Sequence, residues 1–413
     1  MTRAQPGETA GLAHSYGLAH SSGPNAVDRP LEGLLVLDFS QFLAGPSCAL
    51  RLADLGADVI KIERPQGGDL ARGLYLADQA FAGDSALFHT LNRNKKSFGA
   101  DLKNARDLRR VQALIRRADV MVHNFRPGVM DRLGLGYDTV NALNPRLVYA
   151  AITGYGSVGP WRDKPGQDLL VQAMSGLAWL SGDAPQGPVP VGVSIADITA
   201  GAHLCQGILA ALVRRATTGR GGRVDVSLFE SAFDLQFEQF TAFLNAEHTQ
   251  PARDATNSAS VYLGAPYGVY RTADGYLALA MTPIARLGEL IGCRPLIAYD
   301  DPSRWFRERA QIKAVLAEHL ARASTAHWLD LLEPADVWCA EVFTWPELLQ
   351  QAGFAALQLT QEIRSGERGK MRTTRCPIRI DGQILTAQQG APALGQDTED
   401  LVRAYNLDAP EAR

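Results

Sequence analysis

Short apolar runs alternate with amphipathic helical stretches along the first half of the chain. The run Gly33-Leu-Leu-Val-Leu-Asp38 ends in an acid, which is typical of a buried parallel strand. A helical pattern over 48–55 and a second apolar run over 57–63 follow, and together the three segments predict a βαβ unit. The alternation continues with helices over 104–118 and 130–143 and strands over 119–123 and 147–153. The pattern therefore predicts an α/β fold with a doubly wound domain.

The pattern changes in the second half. A strong helix is predicted over 199–218, ended by glycines, and a strand over 224–228 and a long helix over 229–247 follow. Residues 249–260 are polar and without a period, which predicts a linker or mobile loop. Beyond them lie a predicted hairpin around Asp274-Gly275 and helical patterns over 284–350.

These changes of pattern divide the chain into five predicted parts. Residues 1–27 are rich in Gly, Ala, Ser and His and lack the apolar core of a signal peptide, so they are expected to be a disordered leader. The other predicted parts are a large α/β domain over 28–225, a linker helix over 226–249, a smaller α+β domain over 250–344 and a C-terminal segment over 345–413 that returns to the large domain.

Composition narrows the function classes. The chain has 413 residues, of which 46% are hydrophobic and 21% charged, as in an ordinary globular protein. A net charge of -3 provides no overall attraction to nucleic acid or to anionic lipid. The sequence contains no uncharged apolar run of about 18 residues, so no transmembrane helix is predicted. The five cysteines are scattered without metal-ligand spacing, which indicates reduced thiols in a cytoplasmic protein.

Two aspartates stand out as candidate catalytic groups. Asp197, in Val191-Gly-Val-Ser-Ile-Ala-Asp197, lies among small and apolar residues just before the predicted helix over 199–218. A carboxylate in such a place is costly unless it is paired or used, and an ionised one is a ready nucleophile. Asp is also among the commonest helix N-caps, and these residues alone favour that structural role. Asp168, in Gly166-Gln-Asp168, also precedes a helical pattern, so the same two interpretations apply to it.

The segment Gly154-Tyr-Gly-Ser-Val-Gly159 has the spacing of a dinucleotide-binding loop. Pro160-Trp161 follows it, however, and no helix is predicted to open there, so the helix N-terminus that would hold a pyrophosphate is missing. We expect a glycine-rich loop beside an active site and no redox nucleotide.

Basic side chains are enriched in the first α/β domain, mostly at or after the ends of predicted strands. A solvated basic face is the ordinary explanation. Ligands of open α/β sheets nevertheless bind outside the carboxyl ends of the strands, so this enrichment favours an anionic, polyphosphate-bearing cofactor over nucleic acid. The residues are Arg64, Arg72, Arg93, Lys95, Lys96, Lys103, Arg126, Arg132 and Lys164.

Histidine offers little chemistry. The sequence from Asn124 to Ala202 contains none, and His203 falls in an apolar helical pattern where a structural role is expected. HExxH and Gly-x-Ser-x-Gly motifs are both missing from the sequence, so metal-dependent hydrolysis and a serine triad have no support.

Several longer motifs together resemble the family III (CaiB/BaiF type) CoA-transferases. The similarity runs from about residue 31 to the C-terminus, with the motifs in the family's order. They are Leu31-Glu-Gly-Leu-Leu-Val-Leu-Asp-Phe-Ser-Gln-Phe-Leu-Ala-Gly-Pro46, Leu55-Gly-Ala-Asp-Val-Ile-Lys-Ile-Glu-Arg-Pro65, Asn92-Arg-Asn-Lys-Lys-Ser97, Asn124-Phe-Arg-Pro-Gly128, Asn144-Pro-Arg-Leu-Val-Tyr149, Gly166-Gln-Asp168, Ser194-Ile-Ala-Asp197, Thr218-Gly-Arg-Gly221 and Ala265-Pro-Tyr-Gly268.

The resemblance implies both an architecture and a set of site residues. It implies a large CoA-binding Rossmann-like domain, a small domain and a homodimer of two interlocked ring-like chains, against the alternative of an ordinary side-by-side dimer. It implies Asp197 as the catalytic aspartate, with Asp168 as its companion. The positions that match the family's CoA contacts are Leu43, Ala44, Arg64, Ala100, Asp101, Leu102, Lys103, Asn124, Phe125, Arg126, Arg132, Pro165, Gly166 and Gln167.

The resemblance also implies a mechanism. Coenzyme A enters as an acyl-CoA donor, a carboxylic acid is the acceptor, and CoA passes between them through anhydride and thioester intermediates on Asp197, without metal or ATP. We expect the helix start to lower the pKa of Asp197 and its backbone N–H groups to stabilise the oxyanion. Formyl-CoA transferases carry Gln where this chain has Leu43 and a Gly-rich lid where it has 257–260, so a larger acyl group than formate or oxalate is expected.

Two alternatives remain open at this point. A 2-methylacyl-CoA racemase of the same superfamily would pair Asp168 with an upstream histidine, for which only His123 is available. A non-catalytic CoA-binding protein would keep Arg64, Lys103 and Arg132 but would not need both aspartates.

Overall fold

The computed structural model describes residues 29–246, 252–365 and 369–409. The predicted leader over 1–27 lies outside the described residues.

A parallel sheet is the centre of the larger part of the chain. Its spatial order is β3-β2-β1-β4-β5-β6, and each neighbouring pair is parallel. The chain runs outward from β1 to β3 on one side and then from β4 to β6 on the other, so the order reverses between β1 and β4. This confirms the predicted α/β class with a parallel central sheet. The strands are β1 (Leu35–Asp38), β2 (Asp58–Glu63), β3 (Lys95–Gly99), β4 (Val120–His123), β5 (Val148–Thr153) and β6 (Gly222–Ser227).

The edge strand β3 is an element that the hydrophobic pattern does not predict. Its sequence, Lys-Lys-Ser-Phe-Gly, begins with two lysines and has one large apolar residue, Phe98. Lys95 nevertheless lies fully buried because Asp38 accepts a hydrogen bond from its ammonium group. Ion pairing thus replaces the apolar side chains that normally mark a buried strand.

The helices of this part flank the sheet on both faces. They are α1 (Ala44–Asp54), α2 (Ala86–Asn92), α3 (Ala105–Ile115), α4 (Val129–Arg132), α5 (Tyr137–Leu143), α6 (Asp168–Met174), α7 (Leu177–Leu180), α8 (Ile195–Thr218), α9 (Leu228–Asp234) and α10 (Phe237–Asn245). Helix α8 begins four residues before its predicted start. The prediction of one long helix over 229–247 is wrong, because the helix is interrupted at Leu235 and Gln236, between α9 and α10.

Helix α8 is the one described helix that is long and apolar enough to cross a membrane by length and composition. Its apolar side chains have another explanation, because α8 packs against α1, α9 and the strands β5 and β6. Ala196, Ala200, Leu204 and Ile208 are fully buried in that core.

The end of the chain packs on the parallel sheet. Leu401 and Leu407 join the apolar cluster beneath α3 and α5, and Cys376 and Leu385 join the cluster that contains α1 and α8. Asp397 accepts a hydrogen bond from the Ser97 N–H at 2.8 Å. The C-terminal elements are α16 (Trp345–Leu348), α17 (Ala352–Leu357), β10 (Thr360–Arg364), β11 (Lys370–Thr374) and α18 (Thr398–Ala404).

A second, smaller unit contains an antiparallel sheet covered by helices. The predicted hairpin is present as β7 (Gly268–Arg271) and β8 (Tyr276–Leu279), and β9 (Cys339–Glu341) pairs with β8 on its other side. The region over 284–350 is not helical throughout, because β9 interrupts it. The helices are α11 (Ile284–Leu290), α12 (Arg294–Ile297), α13 (Ser303–Arg307), α14 (Arg309–Leu320) and α15 (Thr325–Leu332).

The segment over 252–260 belongs to the linker or mobile loop predicted over 249–260 and is anchored on both sides, while residues 249–251 lie outside the described residues. Asp254 is buried and pairs with Lys313 at 2.6 Å and with Arg309 at 2.7 Å, both on α14. Arg253 donates hydrogen bonds to the carbonyl oxygens of Ser181 and Gly187 in the larger part of the chain. The polar side chains that suggested a solvated loop are used in these contacts.

A network of buried charges connects the neighbouring strands β1, β2 and β3. Lys61 lies 2.8 Å from Asp69 and 3.7 Å from Asp38, and Lys95 lies 2.8 Å from Asp38. Burial alone would raise the pKa of Asp38, but the two ammonium charges and the hydrogen bonds from Lys95 and Ser40 outweigh it and lower the pKa to about 2. Each buried charge therefore has an opposite charge within contact distance, as burial requires.

The packing of α1 on α8 depends on a glycine. A Cβ atom placed on Gly201 would lie 2.7 Å from the Ala44 carbonyl oxygen and would collide with the Ser47 hydroxyl. We expect Gly201→Ala to lower the free energy of unfolding by about 1–3 kcal/mol, because α1 must move away from α8. Chemical denaturation measures the change.

Gly353→Ala on α17 is the matched control, since a Cβ atom there meets no described atom within 4 Å. It should leave stability unchanged or slightly raise it. Equal effects of the two substitutions would contradict the packing argument.

Candidate active site

The predicted site residues collect along the carboxyl edge of the parallel sheet. Arg64 directly follows β2, Ala100 follows β3, and Asn124 follows β4. Because neighbouring strands are parallel, these ends share one edge, and the order reverses there between β1 and β4.

Asp197 lies in the first turn of α8. It is the third residue of the helix and is partly buried, and Ser194 occupies the N-cap position. Asp197 is therefore not the N-cap that its local sequence favours. Among the described residues, none donates a hydrogen bond to its side-chain carboxylate.

The group that caps α8 is Asp168, the first residue of α6. One oxygen of its carboxylate, Oδ1, accepts hydrogen bonds from the backbone N–H of Ala196 at 2.7 Å and of Asp197 at 3.2 Å. Asp168 is 9% exposed. The expectation that Asp168 caps its own helix is wrong, since it satisfies the N-terminus of another one.

This cap also uses the N–H groups that were expected to stabilise an oxyanion. The N–H groups of Ala196 and Asp197 donate to Asp168, while that of Ile195 donates to the Val193 carbonyl oxygen and that of Ile198 to the Ser194 carbonyl oxygen. The first turn of α8 therefore has its backbone donors engaged within the protein.

The second oxygen of Asp168 is held by a buried glutamine. Gln172 Nε2 donates to Asp168 Oδ2 at 2.7 Å, and Gln172 Oε1 accepts from the Val191 N–H at 2.8 Å. Gln172 is 1% exposed, so these contacts are shielded from water. The carboxylate of Asp168 thus has donors at both oxygens.

Asp197 has the electrostatics of a reactive carboxyl group. Burial and the neighbouring charge of Asp168 raise the pKa of Asp197 to about 7. The expectation of a lowered pKa is therefore wrong, because desolvation and the like charge outweigh the helix dipole. A carboxylate with this pKa is more basic than an ordinary aspartate and is still ionised in a large fraction of molecules at neutral pH.

The turn over 40–43 is fixed by two side chains from other parts of the chain. The Asn124 amide accepts from the Gln41 N–H at 2.8 Å and donates to the Gln41 carbonyl oxygen at 2.7 Å. Asp69 accepts from the Phe42 N–H at 3.1 Å, and Phe42 has a positive φ of 64°. Leu43 and Ala44 follow directly as the N-cap and first residue of α1.

The nine basic residues singled out from the sequence fall into two groups. Four of them are not free for a ligand: Arg72 pairs with Glu63 and Asp84, Arg93 with Asp54, Lys95 with Asp38, and Lys96 with Asp58. The others make no ion pair with a described carboxylate, and all are solvent-exposed: Arg64, Lys103, Arg126, Arg132 and Lys164.

The remaining predicted CoA-contact positions lie in the loops after β3, β4 and β5. Asp101 is exposed and accepts from the Lys103 N–H at 3.0 Å, while Leu102 packs on the apolar cluster beneath α3. Ala100 is buried, and Phe125 stacks on His123. Pro165 and Gln167 are exposed, immediately before Asp168.

The glycine-rich loop has a structural explanation. A Cβ atom on Gly154 would lie 2.7 Å from the Gly166 Cα atom, so the two backbones cross in close contact. Residues 160–163 form a turn rather than a helix. Glycine at position 154 thus allows the close approach of the loop that leads to Asp168.

His123 has surroundings that do not suit a general base for Asp168. Its ring packs edge-on against Tyr149 at 5.2 Å between ring centroids, and neither ring nitrogen has a hydrogen-bond partner among the described residues. Burial and the charge of Arg223 lower the pKa of His123 to about 4, so the ring stays neutral. Within the described ranges no cluster of three or more metal-type ligands occurs.

Sequence reasoning missed the residues that hold the site in place. Lys61 and Glu63 are charged residues inside the buried strand β2. A buried charge needs a partner, so these two residues could have indicated a buried polar network. Gln172 carried no comparable signal, since a glutamine in an amphipathic helix is ordinarily solvent-facing.

Comparisons with known proteins place the chain in a family. Residues 31–398 match the model of CoA-transferase family III. The chain is 31% identical to a succinyl-CoA:glutarate CoA-transferase of Mus musculus, with 95% of this chain and 91% of the relative covered. It is 34% identical to an acetyl-CoA:oxalate CoA-transferase of Acetobacter aceti, with 93% and 97% covered. A crystal structure of a CaiB/BaiF family protein from Brucella suis superposes with a TM-score of 0.78 at 30% identity, covering 92% of this chain and all of that one. The chain therefore belongs to CoA-transferase family III and is an enzyme of that family.

The raised pKa of Asp197 means that its ionised form lowers the stability of the native state. The native state holds this proton up to about pH 7, whereas an unfolded aspartate loses it near its ordinary pKa of 3.8. Unfolding releases the proton between these values, so this contribution to stability falls as the pH rises from about 4 to 7 and is constant above. We expect Asp197→Asn to raise Tm at pH 8 by several degrees and by much less near pH 4.

Asp274→Asn is the control of opposite sign. Hydrogen bonds from the backbone N–H and hydroxyl of Thr325 lower the pKa of Asp274, so its ionised form is favoured in the native state. This substitution should not raise Tm at pH 8. A Tm difference for Asp197→Asn that does not depend on pH would contradict the assigned pKa.

Proposed function

We propose that this enzyme moves CoA from an acyl-CoA thioester to a carboxylic acid through covalent intermediates on Asp197. The observation that carries the proposal is the Asp197 carboxyl group itself. It is partly buried in the first turn of α8, has a pKa near 7 and receives no hydrogen bond from the described residues. Its side-chain oxygens are therefore available to a substrate rather than engaged in the fold.

In the first half-reaction, a carboxylate oxygen of Asp197 attacks the carbonyl carbon of the donor thioester. The carbon–sulfur bond breaks, CoA leaves as a thiolate, and the donor acyl group is joined to Asp197 in a mixed anhydride. The thiolate then attacks the side-chain carbonyl carbon of Asp197. The donor leaves as a free carboxylate, and an aspartyl-CoA thioester remains.

The second half-reaction runs the same steps in reverse with the acceptor. A carboxylate oxygen of the acceptor attacks the aspartyl thioester, which releases CoA as a thiolate and forms a second anhydride. The thiolate attacks the acceptor's carbonyl carbon, giving the new acyl-CoA and the free Asp197 carboxylate. Thioester energy is conserved at each step, so the cycle needs neither ATP nor a metal ion.

Coenzyme A is the proposed co-substrate, bound along the carboxyl edge of the sheet. Its phosphates would pair with exposed basic side chains that lack a described carboxylate partner: Arg64, Lys103, Arg126 and Arg132. Leu43 and Ala44, at the start of α1, would line the path of the thioester towards Asp197. The backbone of Ala44 supports this, because it touches α8 at Gly201, one turn beyond Asp197.

The proposed substrates are acyl groups larger than formyl. Leu43 offers no polar group of the kind that formyl-CoA transferases place there, and the stretch over 257–260 is not glycine-rich. A succinyl donor with a branched or dicarboxylic acceptor is the first pair to assay.

Substitution of the nucleophile tests this function. We expect Asp197→Ala to lower the transfer rate by at least about a thousandfold, since it removes the atom that forms the covalent bond. Transfer is followed by mass detection of new CoA esters with a panel of donors and carboxylic acids. Intact-protein mass spectrometry of the wild type with donor should show an added acyl or CoA mass that Asp197→Ala lacks.

Asp234→Ala is the matched control, since Asp234 on α9 is a solvent-exposed carboxylate that contacts His203 at 3.5 Å. It should retain wild-type transfer. Transfer by Asp197→Ala at a near-wild-type rate would overturn the assignment.

We further propose that the enzyme is a cytoplasmic homodimer of interlocked chains. Large apolar side chains are exposed on the single chain, among them Trp345 at 83%, Val213 at 72% and Phe237 at 68%. Such exposure supports an extensive subunit interface. The five described cysteines form no disulfide with one another, which is compatible with a reducing compartment.

Mass and subunit exchange test the dimer. Light scattering should give about twice the chain mass of 44.6 kDa. Tagged and untagged dimers that are mixed under native conditions should form no mixed dimers, because interlocked rings separate only after unfolding. Rapid exchange would indicate a side-by-side dimer, and a single-chain mass would rule out both.

A further inference from the structure

The buried amide of Gln172 connects the two aspartates to the loop before α8. Gln172 lies one helical turn after Asp168 on α6. Its side chain contacts Asp168 at one end and Val191 at the other. The carbonyl oxygens of Val191 and Val193 also lie 3.4 Å from its Nε2 atom.

The orientation of this amide is determined by its neighbours. Gln172 Oε1 faces the Val191 N–H, which can only donate, so the carbonyl end must point there. The Nε2 end then faces Asp168 Oδ2 as a donor. A flipped amide would set N–H against N–H at Val191 and oxygen against oxygen at Asp168.

Asp168 is in turn surrounded by donors. Its Oδ1 atom accepts from the N–H groups of Ala196 and Asp197, and its Oδ2 atom accepts from Gln172. Bonds to both oxygens fix the plane of the carboxylate. The hydrogen bonds to Oδ1 include one from the backbone N–H of Asp197 itself. The position of the carboxylate plane therefore determines where the first turn of α8 begins.

We propose that Gln172 is a positioning residue, which fixes the Asp168 carboxylate so that it holds the first turn of α8 and with it the Asp197 side chain. The proposal rests on the proposed function of Asp197 as nucleophile. Gln172 does not touch the reacting atoms. It acts through Asp168 and through the loop over 191–194, which leads directly into α8.

Gln172→Glu tests this role with an isosteric change. When the introduced carboxyl group is protonated it can imitate the amide, since its carbonyl oxygen accepts from the Val191 N–H and its O–H donates to Asp168. When it is ionised it has no donor and places a negative charge against Asp168. We expect kcat of the variant to be at least about tenfold below the wild type at pH 8, because a hydrogen bond to a charged group is lost.

The pH dependence separates this role from a merely structural one. The ratio of variant to wild-type kcat should recover towards one as the pH falls to about 5.5, where a buried carboxyl group beside a like charge regains its proton. KM for the acyl-CoA should change little, because Gln172 is buried and none of the basic side chains proposed to bind the CoA phosphates lies on α6.

Gln236→Glu is the matched control. Gln236 is 6% exposed, and its Nε2 atom donates to the carbonyl oxygens of Ser175 and Ala232, away from both aspartates. It receives the same buried charge but should show a kcat ratio that does not depend on pH, once corrected for the folded fraction. Circular dichroism at each pH provides that correction.

A second variant keeps the test decisive if Gln172→Glu does not fold at pH 8. Gln172→Met preserves length and removes every side-chain hydrogen bond of Gln172, and we expect a kcat loss of about tenfold or more with no recovery at low pH. Equal kcat losses at positions 172 and 236, or a Gln172→Glu ratio that is flat with pH in folded protein, would overturn the proposal. An active Asp197→Ala variant would instead overturn the proposed function, so the two failures are distinguishable.

Discussion

The hydrogen bonds from the first turn of α8 to the Asp168 carboxylate are the interaction on which the site depends. Helix α8 is the long central helix of the core, and its N-terminal N–H groups need an acceptor. Asp168 supplies it from α6, and the same carboxylate places a negative charge beside Asp197. One residue therefore satisfies the helix end and also adds to the effect of burial, which is the larger cause of the raised pKa of Asp197. Stability and reactivity are linked here, because the Asp168 carboxylate that caps α8 also contributes to the raised pKa of Asp197.

On the other side of the site, buried ion pairs replace the apolar packing found elsewhere. Lys61 and Lys95 lie fully buried beneath the turn over 40–43, and Asp38 and Asp69 neutralise them. The second oxygen available on Asp69 then holds the Phe42 backbone. Charge-assisted hydrogen bonds hold this turn in one conformation. The turn therefore fixes the position at which α1 begins.

The sequence was sufficient for the parallel sheet and the family, and insufficient for the details of the site. Apolar runs such as 33–38 and 119–123 mark buried strands directly, because both faces of those strands are covered. Strand β3 was not predicted, because Lys95 is buried with the help of Asp38, a partner distant in sequence. The beginning of α8 was placed too late because Gly192 and Ser194 weaken the helical pattern, and the acceptor that supports the first turn comes from residue 168. The sequence also suggested too many basic residues as ligand-binding groups. Arg72 and Arg93 pair with carboxylates that they meet only in the folded chain.

The anchoring of residues 252–258 gives the protein a mechanical connection between its two parts. Arg253 binds the carbonyl oxygens of Ser181 and Gly187, while Asp254 is paired with α14 of the smaller unit. The loop that carries those carbonyl groups continues to Val191 and then into α8. A displacement of the smaller unit would therefore act on the same stretch of backbone that leads to Asp197. The smaller unit is thus connected to the backbone around Asp197 by a short series of polar contacts, although it contributes neither of the two aspartates.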